Sequence, residues 1–273
     1  MTKNEIADEI LRSKKYADID RAAVERISAE TIPKYGKQKD IVKAVKKELH
    51  IIHESFFPDE CHLKAGTLLN SYTGSGVGAD KDLAARLMAL HASTKERLRQ
   101  AVEIYGFISG YFGKDDDIVD LGCGFCPFAL PFYNELPKSY LAYDISSATI
   151  KLLDRYFKLA GLPYSAEICD AAAKTPGARG SVLLMLKLYP VLERQKQSRA
   201  FEVMQALGCA TSIISFPLKS ASGREKGMEA FYATRFEKGL PAGFTVVKKE
   251  KFANEMFYVV SEGAPGSSNG FVD

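Results

Sequence analysis

The sequence has no apolar run near the roughly 20 residues that a membrane span requires. Its first sixteen residues, MTKNEIADEILRSKKY, are charged and amphipathic, without the apolar centre of a secretory signal. The default expectation is a cytoplasmic monomer with no membrane partner. Strong charge of one sign is also missing, because 37 Lys and Arg face 34 Asp and Glu for a net charge of +3. A bulk polycation is thereby excluded, and any nucleic-acid role must rest on local patches. Cysteine is sparse, odd in number and scattered: Cys61, Cys123, Cys126, Cys169 and Cys209. That pattern predicts reduced thiols in a reducing compartment. Cys123 and Cys126 form a C-x-x-C, but no second Cys or His pair stands at zinc-ligand spacing, so no metal is expected. No internal repeat is visible. What remains is an ordinary globular composition in 273 residues, 46% hydrophobic and 26% charged. That length suits one large domain, or a core domain with a smaller companion.

Helical spacing governs residues 1 to about 90, where Ile6, Ile10 and Leu11, Val24 and Ile27, then Ile41, Val45, Leu49 and Ile52 recur at helix intervals. Asp20, Thr31, Pro33 and Gly36 punctuate the run. Residues 34–47 carry six lysines against Asp40, a basic stripe or a solvated helix face. Ser93-Thr94-Lys95-Glu96 reads as a capping box opening a helix over about 94–112. After Gly113 short β-type runs alternate with helical ones. Strands are predicted near 117–121, 139–143, 164–169, 181–187, 210–216, 244–249 and 255–261, with helices near 127–135, 147–160, 191–207 and 225–237. Alternation of this kind implies a mostly parallel sheet covered on both faces. The last two strands read as a hairpin. The expected organisation is a helical N-terminal domain at 1–90, an α/β domain at 91–262 and a disordered tail at 263–273.

The stretch Asp120-Leu121-Gly122-Cys123-Gly124 follows a buried strand directly. Doubly wound folds bring ligands to the carboxyl ends of their strands, and glycine lets backbone approach a ligand closely. The second strand ends in Asp144, where a carboxylate can accept from ribose hydroxyls; the third ends at Cys169-Asp170, where it can meet an adenine amino group. Pro127 occupies the place of the third glycine of a dinucleotide fingerprint, which weakens that alternative. A glycine loop and two strand-end acids, in this order, resemble the class I S-adenosylmethionine-dependent methyltransferases. The fold expected is therefore α/β and Rossmann-like, with a seven-stranded mostly parallel sheet and an all-α N-terminal domain.

More specific stretches narrow the resemblance: Leu90-His91-Ala92-Ser93-Thr94-Lys95-Glu96-Arg97-Leu98, then Lys187-Leu188-Tyr189-Pro190-Val191-Leu192-Glu193-Arg194-Gln195, then SFP followed by GREKGMEA, and Glu237-Lys238-Gly239-Leu240-Pro241. With Ser13-Lys14-Lys15-Tyr16 they run from about residue 10 to about 262. Together they resemble the aminoglycoside-resistance 16S rRNA (guanine-1405-N7)-methyltransferases. The resemblance implies S-adenosylmethionine as cofactor and the 30S ribosomal subunit, at its decoding region, as partner. It implies His91, Ala92 and Ser93 bordering the cofactor, Arg97 on its methionine carboxylate, Gly122 beside the methionine part, Asp144 on ribose, Asp170 and Ala171 at adenine, and Leu186 and Gln195 completing the pocket. Lys14, Lys15, Lys187, Lys219, Arg224, Lys226 and Tyr232 are the expected RNA contacts.

No Asn/Asp-Pro-Pro-Tyr/Phe motif of amino methyltransferases follows the fourth strand, which reads Leu186-Lys187-Leu188-Tyr189-Pro190. Guanine N7 offers a lone pair and carries no proton, so no catalytic base is expected. Two other readings fit parts of the chain. One is a methyltransferase acting on another base or on a small molecule. The other is a ribosome-binding factor that kept the fold without turnover.

Overall fold

A computed structural model describes residues 2–53, 56–58, 60–72, 76–218, 228–252 and 254–263, with backbone alone at 77 and 228–232. Lys219, Gly223, Arg224 and Lys226, and the expected tail beyond Gly263, lie outside the described residues; so does the side chain of Tyr232.

The N-terminal segment is helical, as its spacing predicts: α1 (Lys3–Leu11), α2 (Arg21–Thr31), α3 (Gln38–Ile52), α4 (Cys61–Asn70) and α5 (Lys81–Met88). A capping box does start a helix, but at Thr2, whose hydroxyl accepts from the Glu5 N–H at 3.3 Å while its own N–H donates to Glu5 Oε2 at 2.8 Å. The expected box at Ser93 is not the cap. Helix α6 (Ala92–Arg97) begins two residues earlier than expected, with His91 rather than Ser93 as its N-cap. Thr94 hooks back instead, its hydroxyl donating to the Met88 carbonyl at 2.7 Å. A 3-10 turn at Leu98–Gln100 then separates α6 from α7 (Ala101–Ser109), so the single helix expected over 94–112 is divided.

All seven predicted strands form: β1 (Asp117–Leu121), β2 (Ser139–Asp144), β3 (Ser165–Ile168), β4 (Val182–Leu186), β5 (Thr211–Pro217), β6 (Phe244–Phe252) and β7 (Glu255–Glu262). They lie in one sheet of order β3-β2-β1-β4-β5-β7-β6. β1 pairs in parallel with β4 and β4 with β5, while β7 runs antiparallel to both β5 and β6. The predicted hairpin is thus the antiparallel edge, with an irregularity between Val246 and Lys248. Burial explains which strands read as apolar runs. All five residues of β4 are buried, whereas β6 has none.

The remaining helices are α8 (Ser147–Ala160), α9 (Tyr189–Gln195), α10 (Arg199–Leu207) and α11 (Met228–Gly239). The helix expected near 127–135 is a 3-10 segment, Cys126–Phe132. Pro127 and Pro131 explain it, because each removes a backbone donor from any α-helical ladder. The helix expected over 191–207 is two. Ser198 takes φ +63° and α10 starts afresh behind it. Glu193 of α9 serves the new terminus, accepting from the N–H groups of Ser198 at 2.9 Å and Ala200 at 3.3 Å. A carboxylate there satisfies orphan donors and opposes the helix dipole.

The chain divides into two compact units: residues 1–98, 124–131 and 142–174 form the first, and 99–123, 132–141 and 175–273 the second. At the aromatic centre of the second unit, Tyr189, Phe201, Phe216, Phe236 and Tyr258 pack edge-to-face or tilted, with ring centroids 5.1–5.6 Å apart. Among the described residues, no helix is long and apolar enough to cross a membrane.

Candidate functional site

The first unit carries the second glycine of the loop and both strand-end acids. Gly124 has φ +49°, and a Cβ on it would stand 3.0 Å from the His91 ring atoms Cε1 and Nε2. That ring is confined, stacking on Phe125 at 5.4 Å and meeting the edge of Phe57 at 4.5 Å. Any side chain at 124 would therefore collide with a buried imidazole that has nowhere to move, which is why glycine stands here. The Gly124 N–H donates to Asp144 Oδ2 at 3.0 Å, and the Ser146 N–H donates to Asp144 Oδ1 at 2.9 Å. Asp144 thus ends β2 with a carboxylate oriented on both oxygens by main chain. Each oxygen keeps a further lone pair for a hydroxyl donor.

Asp170 is held differently. Its Oδ1 accepts from the Ala172 N–H at 3.0 Å, and its Oδ2 accepts from Nε of Arg26, on α2, at 2.8 Å. Arg26 also donates through Nη1 to Glu30 at 3.1 Å. Burial by itself lowers the Arg26 pKa, but the hydrogen bonds and charges of Asp170 and Glu30 outweigh it and hold the group above its ordinary value. Arg97 is buried, with Nη1 4.0 Å from Cys126 Sγ. Ser93 and Ala171 are buried and Ala92 half-buried. The first unit so brings His91 against Gly124, and Gly124 against Asp144. Lys14 and Lys15 lie exposed in the turn after α1, with Lys15 Nζ 6.0 Å from the Tyr16 ring centre.

The second unit carries the rest. Gly122 has φ +61°, and a Cβ on it would stand 2.8 Å from Leu188 Cδ1. Asp120, buried in β1, accepts from the Tyr140 hydroxyl at 2.6 Å. Leu186 is the buried last residue of β4, and half-buried Gln195 ends α9, donating to the Val191 carbonyl at 3.3 Å. Lys187 is not an open surface lysine. It is 8% exposed, takes φ +60°, and places Nζ 3.6 Å from buried Glu255. Its N–H donates to Ser215 Oγ at 2.9 Å, and that hydroxyl donates to Glu255. Lysine, serine and glutamate so close a network at the carboxyl ends of β4 and β5.

Arg26, Glu255 and Ser215 escape a reading of the sequence. Arg26 and Asp170 are 144 positions apart. A helix of mixed charge such as α2 offers no local sign that one arginine turns inward. Glu255 opens a hairpin strand, where an acid ordinarily reads as solvated edge.

A family model described as ribosomal RNA methyltransferase (FmrO) matches residues 12–259. The chain is 32% identical over 264 residues to a 16S rRNA (guanine(1405)-N(7))-methyltransferase of Frankia casuarinae, covering 93% of this chain and 92% of that one. It is 31% identical to the enzyme of the same name from Serratia marcescens, covering 96% and 99%. Among solved structures, the 16S rRNA methyltransferase RmtF in complex with S-adenosyl-L-homocysteine superposes with a TM-score of 0.86 at 32% identity, covering 95% of this chain and 98% of that one. The 16S rRNA methylase RmtB gives 0.81 at 27%, covering 96% and 99%. A sheet of this order, a glycine loop without room for Cβ atoms and a match of this length have one reading: the chain belongs to the ribosomal RNA methyltransferase (FmrO) family and has the class I methyltransferase fold.

Proposed function

We propose that this protein methylates N7 of guanine 1405 in the 16S rRNA of the 30S subunit, using S-adenosylmethionine, and so confers aminoglycoside resistance. The observation that carries the reading is the near full-length likeness to enzymes of that name, at 32% and 31% identity. When bound, S-adenosylmethionine supplies an electrophilic methyl group that the N7 lone pair takes by in-line displacement at carbon.

The residues fit such a ligand. Gly122 and Gly124 hold left-handed backbone, where a Cβ is strained and would crowd Leu188 and His91 respectively. Asp144 offers pre-oriented lone pairs suited to the ribose diol, and Asp170 with Ala171 faces adenine. Arg97 binds the methionine carboxylate, for which a guanidinium fork is the matching shape. His91, Ala92, Ser93, Leu186 and Gln195 border the ligand.

Because N7 carries no proton, these residues have none to remove. Their work is orientation, which can supply roughly 7–11 kcal/mol. Lys14, Lys15, Lys219, Arg224 and Lys226 neutralise phosphate, Tyr232 stacks on a base, and the helices of residues 1–90 dock on folded rRNA by backbone charge and shape. Lys187 serves the RNA from inside its buried pair, through the geometry it gives the end of β4. On this reading the protein works as a monomer in the cytoplasm.

The test is methyl transfer from labelled cofactor to unmethylated 30S subunits, followed by chemical cleavage mapping. Incorporation at one guanine, position 1405, with cleavage typical of 7-methylguanine, is the expected result. Absence of incorporation from a folded, cofactor-binding protein overturns it.

A further inference from the structure

We infer that Arg26, on the second helix of the chain, is a positioning residue for adenine recognition. It acts through Asp170, and the inference rests on the reading of Asp170 as the adenine acid. The Asp170 carboxylate is clamped from two sides, by the Ala172 N–H on Oδ1 at 3.0 Å and by Arg26 Nε on Oδ2 at 2.8 Å. Two fixed donors set the torsion of the carboxylate plane. The lone pair left on each oxygen then has a fixed direction and can take one more donor. An exocyclic amine supplies that donor; a carbonyl in its place would face the carboxylate with like partial charge. The clamp therefore makes Asp170 a discriminator between a 6-amino and a 6-oxo purine.

Arg26 itself is held in place. Nη1 donates to Glu30 one turn along α2, so two acceptors fix the guanidinium plane. The chain leading into α2 is tied to the loop after β2. The Asp20 N–H donates to the Ile145 carbonyl at 2.8 Å, the Ser147 N–H donates to the Asp18 carbonyl at 2.7 Å, and Ile19 bridges Ser146. Ser146 is in turn the residue whose N–H holds Asp144. Five residues on from the first helical position, Arg21, a rise of about 7.5 Å brings Arg26 to Asp170. The α1–α2 connection is thus tied to the end of β2, and α2 to the end of β3. Helices that read as a separate docking module are part of the frame that aims both acids.

The experiment measures affinity of the full-length protein for S-adenosylhomocysteine and for S-inosylhomocysteine, its 6-oxo analogue, by calorimetry. The wild type is expected to prefer the adenine ligand by at least about tenfold, the scale of one charge-assisted hydrogen bond. In Arg26→Gln the adenine ligand is expected to weaken about tenfold and the 6-oxo ligand by less than about twofold, so the preference collapses. Arg26→Lys, which keeps the charge but not the planar fork, is expected to retain an intermediate preference and serves if the glutamine variant does not fold. Equal weakening of both ligands would reduce Arg26 to a strut between α2 and β3 and overturn the inference, as would an unchanged preference. Asp170→Asn separates the two levels. If that variant keeps full adenine preference, the reading of Asp170 fails; if it loses the preference and Arg26→Gln does not, only the role of Arg26 fails.

Discussion

Asp144 and Asp170 end neighbouring strands, and the difference between them lies in what holds each one. Asp144 is oriented by two main-chain N–H groups, from Gly124 and Ser146. Asp170 takes one main-chain donor and one guanidinium from a helix 144 positions earlier. Glu255, in the second unit, extends the second type, facing Lys187 and Ser215. Main-chain clamps come with the local fold and survive side-chain substitution nearby. Side-chain clamps depend on one remote residue and can be broken by a single change. The two types should therefore respond differently to mutation.

The largest effect is expected at the buried pair of the second unit. Lys187→Met leaves Glu255 charged and buried, which costs about 3–5 kcal/mol, while the double variant with Glu255→Met should recover much of that loss. Denaturant melts of the two variants check it, and equal losses would place Glu255 among the main-chain type. Next comes Gly124→Ala, which breaks the main-chain clamp itself. A methyl at φ +49° and 3.0 Å from the His91 ring should cost about 2–5 kcal/mol from strain and overpacking. Cofactor binding, read by calorimetry, should fall with it.

Asp144→Ala keeps the glycine loop but removes the acceptor. Cofactor affinity is expected to drop about 10- to 100-fold, with methyl transfer recoverable at high cofactor concentration. A loss of turnover that saturating cofactor does not restore would instead make Asp144 a participant in the chemistry.

The smallest effect is expected at Glu237. The hydrogen bond from Lys249 holds its carboxyl below the usual 4.5, burial opposes this, and the Tyr258 hydroxyl adds to it. A depressed carboxyl stabilises the fold above its unfolded pKa and loses that contribution as pH falls through the lower folded value. Glu237 is 38% exposed, so screening leaves about 0.2–1 kcal/mol at most. Glu237→Gln should lower Tm slightly at neutral pH, and the gap from wild type should close in acid below that window.

The sheet was legible because its central strands are short, apolar and bounded by turn residues, and buried β4 is the extreme case. The glycine loop and the two acids were legible because they follow strands directly, at fixed local spacing. Helix boundaries were less so. The breaks at Leu98–Gln100 and at Ser198, where Glu193 serves a new terminus, leave the apolar period unaltered. Ser93-x-x-Glu96 has the residues of a capping box, yet His91 takes the cap. Lys187 read as an RNA contact because its sequence neighbours resemble a family motif; its buried partner, Glu255, stands 68 positions on, in β7, with β5 between it and β4. What a sequence hides here is contact between distant positions, and the side-chain clamps are made of such contacts.

The 144-position separation of Arg26 and Asp170 also has a consequence in time. At about 5–20 residues per second of synthesis, roughly 7–30 s pass between the appearance of the two partners. During that interval Glu30, on the same helix, is already available to the guanidinium. Closing so long a loop is entropically costly and is rewarded only after β2 and β3 exist. The ion pair is thus a late contact, formed on the far side of the folding barrier. Weakening it should hasten unfolding and leave the refolding rate nearly unchanged. The Arg26–Asp170 clamp is, in kinetic terms, a latch that closes last and opens first.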